Sequence, residues 1–241
     1  MIIFAYDQSL LERYPTIRAG VAYIRGVENG STPSALLGRY LQEQAAVLGR
    51  MEDCAPGDVP AVTAWRRAFS GFGVKPTQYR NAAEALLRRL TKQGDIPSIN
   101  ALADIGNLVS IRYSLPVAFF DQAKVSGTTT VRFADGSESF TDLGSKEVVS
   151  PEPGEVVFVD DGGIVSARRW CWRQSAGSAC DSTTTDVLVT VEGHHDGAAT
   201  DVAAALADIV GLLDEFQPGA IVRQALLVPD SPRFEITYRG P

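Results

Sequence analysis

Histidine is almost missing from this 241-residue chain, and the two present, His194 and His195, are adjacent. Neighbouring residues on an extended segment point to opposite faces, so the pair does not supply two ligands to one metal. Flanked by Gly193 and Gly197, it reads as part of a loop before the last helix. A nucleophile–histidine triad has only these two rings to draw on. No G-x-S-x-G elbow and no H-E-x-x-H helix is present. The single G-x-G, Gly71-Phe72-Gly73, runs into Val74-Lys75-Pro76 and offers neither dinucleotide nor P-loop geometry. The expectation is a protein with no metal and no cofactor.

Cysteine is also scarce. Cys54, Cys171 and Cys180 make an odd, irregularly spaced set that fits neither a disulfide framework nor a zinc site and suits a reducing compartment, the cytoplasm. No basic stretch precedes MIIFAY, so a signal peptide is not expected. Long apolar runs are lacking: Val202 to Leu213 is broken by Asp208, short of the roughly 20 residues a bilayer span requires. Basic residues do not dominate either. Lys and Arg number 22 against 29 Asp and Glu, a net charge of -7, which disfavours a sleeve around duplex DNA. What is there is ordinary for a globular chain, 45% hydrophobic and 21% charged, enough to bury a full core.

The patterning predicts strands over residues 1–6 and 17–27. A helix follows from the Ser31-Thr32-Pro33 cap to about Arg50, and a second covers Ala61 to Phe69. A third runs from Pro76 to a stop at Gly94, and a fourth from Pro97 to about Tyr113. After Pro116 the character turns to β, through TTTVRF, GEVVFVDD, GGIVSARRWCWRQ and DVLVTVEG. Thr200-Asp201 caps a last helix, and AIVRQALLVP and RFEITYR close the chain as strands. The expected fold class is α+β: one domain over 1–241, helix-rich over 28–115 and β-rich over 116–241, with helices packed on a large mixed β-sheet.

Two gatherings of polar residues stand out. Asn100, Asp104 and Asn107 fall at i, i+4 and i+7 of the fourth helix and share a face. Such a row binds an amide, an amine or a ribose hydroxyl, or is simply solvated. The second is Arg168-Arg169-Trp170-Cys171-Trp172-Arg173, where strand alternation puts Arg168, Trp170 and Trp172 on one face. Arginine beside tryptophan suits a phosphate next to a stacked base; the alternative is a core strand whose arginines pair with carboxylates.

Leu86 to Val125 resembles the B3/B4 domain of the phenylalanyl-tRNA synthetase β subunit. That domain has an Asp-x-x-Asn helix followed by a Pro-x-His-x-x-Asp element entering a strand. Here they read Asp104-Ile105-Gly106-Asn107 and Pro116-Val117-Ala118-Phe119-Phe120-Asp121, with alanine in the histidine place. The likeness continues more loosely to about Glu192, and WRRAFSGFGVKPTQYRNAAEALLRR with RRWCWRQ looks like free-standing members of the family. The resemblance implies a proofreading site acting in trans on the 3′ end of a mischarged tRNA, with Asn107, Asp104 and Asn100 in catalysis. Arg168, Trp170, Trp172, Arg173, Gln174, Asp121 and Ala118 would then hold the substrate. The synthetase's Gly-Gly-Glu stretch is replaced near Trp172-Arg173-Gln174, which argues against a tyrosine pocket. Two rivals stay open: a non-catalytic module binding an amino acid or a tRNA end, and a small-molecule ester or amide hydrolase without RNA.

Overall fold

The computed structural model describes residues 1–237. In chain order it has β1 (Ile2–Tyr6), α1 (Gln8–Arg13), β2 (Arg18–Arg25), α2 (Ser34–Arg50), α3 (Pro60–Gly71), α4 (Ala82–Gln93) and α5 (Ala101–Tyr113). There follow β3 (Val117–Asp121), β4 (Thr128–Phe133), β5 (Phe140–Thr141), β6 (Val148–Val149), β7 (Val156–Val159), β8 (Val165–Arg168) and β9 (Arg173–Gln174). The chain closes with β10 (Asp186–Gly193), α6 (Ala198–Phe216), β11 (Ile221–Leu227) and β12 (Arg233–Ile236). The expected α+β class holds. The last two residues of the RFEITYR run lie outside the described residues.

The strands are shared between two main sheets. One is mixed and six-stranded, ordered β12-β1-β4-β7-β8-β9, with β1 and β4 parallel. The other is antiparallel and four-stranded, ordered β11-β2-β10-β3. Alternation along β10 explains how they stack. Val187, Val189 and Val191 turn to one side and join a core with Leu102, Ile105 and Val109 of α5 and Val202 and Ile209 of α6. Leu188, on the opposite side, joins Phe120, Phe4, Val131 and Phe158 in a second core between the sheets. The four-stranded sheet is therefore the middle layer, with helices on one face and the mixed sheet on the other.

Local chemistry sets the element ends. Asn81 caps α4 through Glu84 N, and Gly94 ends it in the left-handed region at φ 84°. Asn100 caps α5 by accepting from Ala103 N, so that helix starts after Pro97-Ser98-Ile99 rather than at Pro97. Pro33 is the non-helical cap of α2 and has no polar side-chain atom to cap with, while the expected capping hydroxyl of Thr32 donates to Asp104 instead. The last helix begins at Ala198, ahead of the expected Thr200-Asp201 cap. Among the described residues no helix is long and apolar enough to cross a membrane.

The middle sheet meets its helices closely at Gly20 of β2, where an added Cβ would lie 2.9 Å from Val191 Cγ1 and 3.2 Å from the Leu206 side chain. Gly20→Ala is expected to lower stability by about 1–3 kcal/mol through overpacking, read as a reduced denaturation midpoint with unchanged m-value. An unchanged midpoint would show that β2 and α6 do not pack this tightly.

Candidate active site

The site is shaped by a break in a strand. β8 stops at Arg168, and Arg169 and Trp170 then adopt positive φ, 45° and 63°. Each costs an L-residue about 1–2 kcal/mol. The contacts that hold this bend are strong. Arg168 Nη2 and Arg169 Nη2 both lie 2.8 Å from Glu155 Oε1, and Trp170 N donates to Val156 O. The Trp170 ring is fully buried, edge-on to Trp65 and Tyr14 at 5.2 Å and to His194 at 4.9 Å. Beyond the bend Trp172, Arg173 and Gln174 return alongside β8, with Ala167 opposite Gln174 and Arg168 opposite Arg173.

The bend closes over a cavity of about 100 Å³ between the two sheets. Its walls are apolar (Phe120, Phe158, Ala167, Trp170), and its polar inner face comes from Thr190 and Glu192 of β10. Ala118 of β3 sits directly opposite Thr190 in the sheet register. Glu192 Oε1 accepts from Tyr6 Oη at 2.5 Å and from Trp170 Nε1 at 2.9 Å. Its other oxygen takes no hydrogen bond among the described residues, and the side chain lines the cavity. Burial raises this carboxyl to about 7, against the lowering effect of the Trp170 and Tyr6 hydrogen bonds. Burial and the Glu192 charge also push the Cys171 thiol upward, so it is held as a thiol rather than a nucleophilic thiolate.

A second, larger hollow of about 310 Å³ adjoins the first, formed by the start of α5, β3 and the 174–180 segment. Val117, Ala118 and Gln174 line both. Gln174 Nε2 donates to Phe119 O at 2.7 Å and Ser178 O at 3.2 Å, which fixes the divider in place. Gly106 lets α5 approach β3, since a Cβ there would sit 3.1 Å from the Phe119 ring. The next residue, Asn107, lines the hollow.

These positions sort the residues expected from sequence. Asn107, Asn100, Ala118, Trp172, Arg173 and Gln174 line one or both hollows, although Asn100 spends its amide oxygen on the α5 cap. Asp104 does not share their space. Fully buried, it accepts from Thr32 Oγ1 at 2.6 Å, from Ile99 N at 3.0 Å and from Ser98 Oγ, and so ties the entry of α5 to that of α2. Asp121 is likewise buried and accepts from Ala123 N and Thr184 Oγ1 at the end of β3, outside both hollows. Arg168 is committed to Glu155. Trp170 is a wall with its indole N–H committed to Glu192, not a free stacking surface. The expected alternation through residues 168–172 fails because the two left-handed residues reverse the chain.

His194 and His195 take separate partners, Thr16 and Asp201. Thr190 and Glu192 were not foreseen. The signal for them was present in DVLVTVEG, where two polar residues share one face of an otherwise apolar strand.

Residues 64–207 match the family model of the B3/4 domain. The phenylalanine–tRNA ligase β subunit of Chromobacterium violaceum is 31% identical over 157 residues, 64% of this chain and 20% of that one. The same subunit of Rhodopseudomonas palustris is 35% identical over 116 residues, 48% of this chain and 14% of that one. This chain thus spans about a fifth or less of these two relatives. Among solved structures, an N-terminal fragment of the phenylalanyl-tRNA synthetase β subunit of Pyrococcus horikoshii superposes with a TM-score of 0.49 at 14% identity. That superposition covers 92% of this chain and 50% of the fragment.

The buried carboxyl leaves a thermodynamic signature. Folded, Glu192 keeps its proton up to about pH 7; unfolded, it loses it near the ordinary value of 4.5. Stability therefore falls as pH rises through that window, by about 3 kcal/mol at full extent. Denaturant titrations of wild type and Glu192→Gln between pH 4.5 and 8 should show the variant gaining on the wild type as pH rises. Parallel curves would contradict a buried, proton-holding carboxyl.

Proposed function

The chain belongs to the B3/4 domain family, and on that premise we propose that it is a hydrolase that removes the amino acid from a mischarged tRNA in trans. The observation that carries this reading is the pair of adjoining hollows divided by Gln174 and Ala118, one of them with a buried carboxyl on its polar face. In this reading the aminoacyl group enters the smaller cavity toward Thr190 and Glu192. The terminal ribose and base occupy the larger hollow beside Asn107, and the ester lies at the divider. Trp172 and Arg173, at the rim, face the preceding nucleotide and its phosphate.

An aminoacyl ester is an activated acyl group, so the protein has to position water and steady the charge that develops on the carbonyl oxygen. Glu192 Oε2 is the group we assign as general base, because a carboxyl with a pKa about 7 matches the working pH. It takes a proton from water as the oxygen attacks the carbonyl carbon. The ester C–O bond then breaks, and the ribose oxygen leaves as a hydroxyl on receiving that proton. The Asn107 side-chain N–H groups donate to the carbonyl oxygen. Tyr6 and Trp170 hold Glu192 in place from behind.

One observation favours the binding-module alternative: Ala118 puts a methyl where the resemblance expects histidine. Deacylation assays separate the two. Against a panel of mischarged tRNAs, the wild type should release amino acid from at least one. Glu192→Gln should lower that rate by about 10²-fold or more, and Asn107→Ala by about 10²-fold as a lost oxyanion donor, with tRNA affinity retained in both. Binding without turnover by the wild type would establish the module instead. Wild-type rates in Asn107→Ala would remove that residue from the site.

A further inference from the structure

The chain is acidic as a whole, but its basic residues are not evenly spread. From Arg66 to Lys92 it carries seven basic residues and a single acidic one, Glu84, and between Gly162 and Cys180 three arginines and no acid. The fold joins these two segments. Ala82 N donates to Cys171 O at 2.9 Å, and the Tyr79 and Trp172 rings meet edge to face at 4.9 Å.

The arginines at this junction exceed the carboxylates available to them. Glu84, with a side chain 0% exposed, takes Arg66 and Arg88 at 2.7 Å and Arg80 at 3.7 Å. Arg80 Nε, though buried, has no hydrogen-bond acceptor among the described residues. Across Tyr79, the Arg169 guanidinium lies 4.0 Å over that ring and 4.7 Å over Trp172, while Arg173 lies 5.0 Å over Trp172. Arg168 and Arg169 share Glu155, and Arg173 has Asp142. Six arginines thus form ion pairs with three carboxylates along one ribbon, and the Asp58 and Glu152 charges also act on Arg66 and Arg169, still one acid fewer than the arginines. Lys75, on the connection from α3 to α4, is exposed and has no ion pair among the described residues.

We infer that this ribbon is a docking surface for an RNA sugar-phosphate backbone, running from the rim of the smaller cavity across the α3–α4 connection. The inference rests on the proposed function for the ribbon's direction, because Ala82, Trp172 and Arg173 belong both to the ribbon and to the cavity wall. It adds that the stem behind the reacting 3′ end, and not only the end itself, is held by this chain. Excess guanidinium charge placed around buried carboxylates gives a fixed array suited to phosphate oxygens. The Tyr79 and Trp172 rings, stacked on the guanidinium groups, hold that array in position.

The test is Lys75→Glu/Arg80→Glu, which reverses charge without removing the two close partners of Glu84. Lys75→Glu alone serves if the pair fails to fold, and Arg39→Glu/Arg223→Glu is a charge-matched control elsewhere. Binding of an uncharged tRNA is measured by anisotropy across a salt series, and turnover on a 3′-aminoacyl-adenosine ester that has no stem. The ribbon variant is expected to weaken tRNA binding about tenfold or more and to make the salt slope shallower by about 2. The control and the turnover of the small ester should be unchanged. Unchanged tRNA affinity and slope in the ribbon variant would overturn the dock, as would a wild type that binds polyglutamate as well as tRNA. If tRNA binding depends on the ribbon but no ester is hydrolysed, the dock stands and the catalytic reading fails.

Discussion

A single buried hydrogen bond, from the Trp170 indole N–H to the Glu192 carboxyl, ties the parts of this molecule together. It joins the bend after β8, on the mixed sheet, to β10, the strand at the heart of the middle layer. The same carboxyl oxygen also receives the Tyr6 hydroxyl from β1. A hydrogen bond to a charged or chargeable group contributes about 1.5–3 kcal/mol, comparable to the cost of two consecutive left-handed residues. Burial of the Trp170 ring among Trp65, Tyr14 and Phe72 adds to that side of the balance. Together with the Gln174 hydrogen bonds to Phe119 O and Ser178 O and the pairing of β9 with β8, this tie keeps Trp172 and Gln174 over the gap between the sheets.

The arrangement also explains how an acidic chain can gather arginines along one ribbon. Carboxylates such as Glu84 and Glu155 lie beneath the arginines and set their positions. Glu192 differs from them. Among the described residues no arginine or lysine pairs with it, and its buried environment raises it to about 7. Structural carboxylates with cationic partners and one cavity carboxyl without any are thus distinguished by their surroundings rather than by residue type.

Much of this was legible in the sequence, and the failures have definite causes. The α+β class followed from amphipathic helices before Pro116 and short apolar strands after it. Gly94 ended its helix as expected, and the apolar alternation in DVLVTVEG marked a central strand. The row Asn100, Asp104, Asn107 did form on one helix, but its members diverged in role. Asn100 became a cap because a carboxamide at a helix start is held by the free N–H groups there. Asp104 was drawn to hydroxyls from Thr32 and Ser98, one of them a contact over 72 residues that no local pattern encodes. The tryptophan–arginine segment was misread as a continuous strand because neither left-handed residue is a glycine. Only the tertiary contacts that enforce the bend reveal it.

The most direct test of the account is a structure of this chain with a non-hydrolysable 3′-aminoacyl-adenosine, its ester replaced by an amide. The account predicts the aminoacyl group between the sheets within hydrogen-bonding distance of Glu192 Oε2, with the adenosine in the larger hollow and the carbonyl oxygen, at the divider, accepting from the Asn107 amide. An analogue bound elsewhere, with Thr190 and Glu192 untouched, would contradict it.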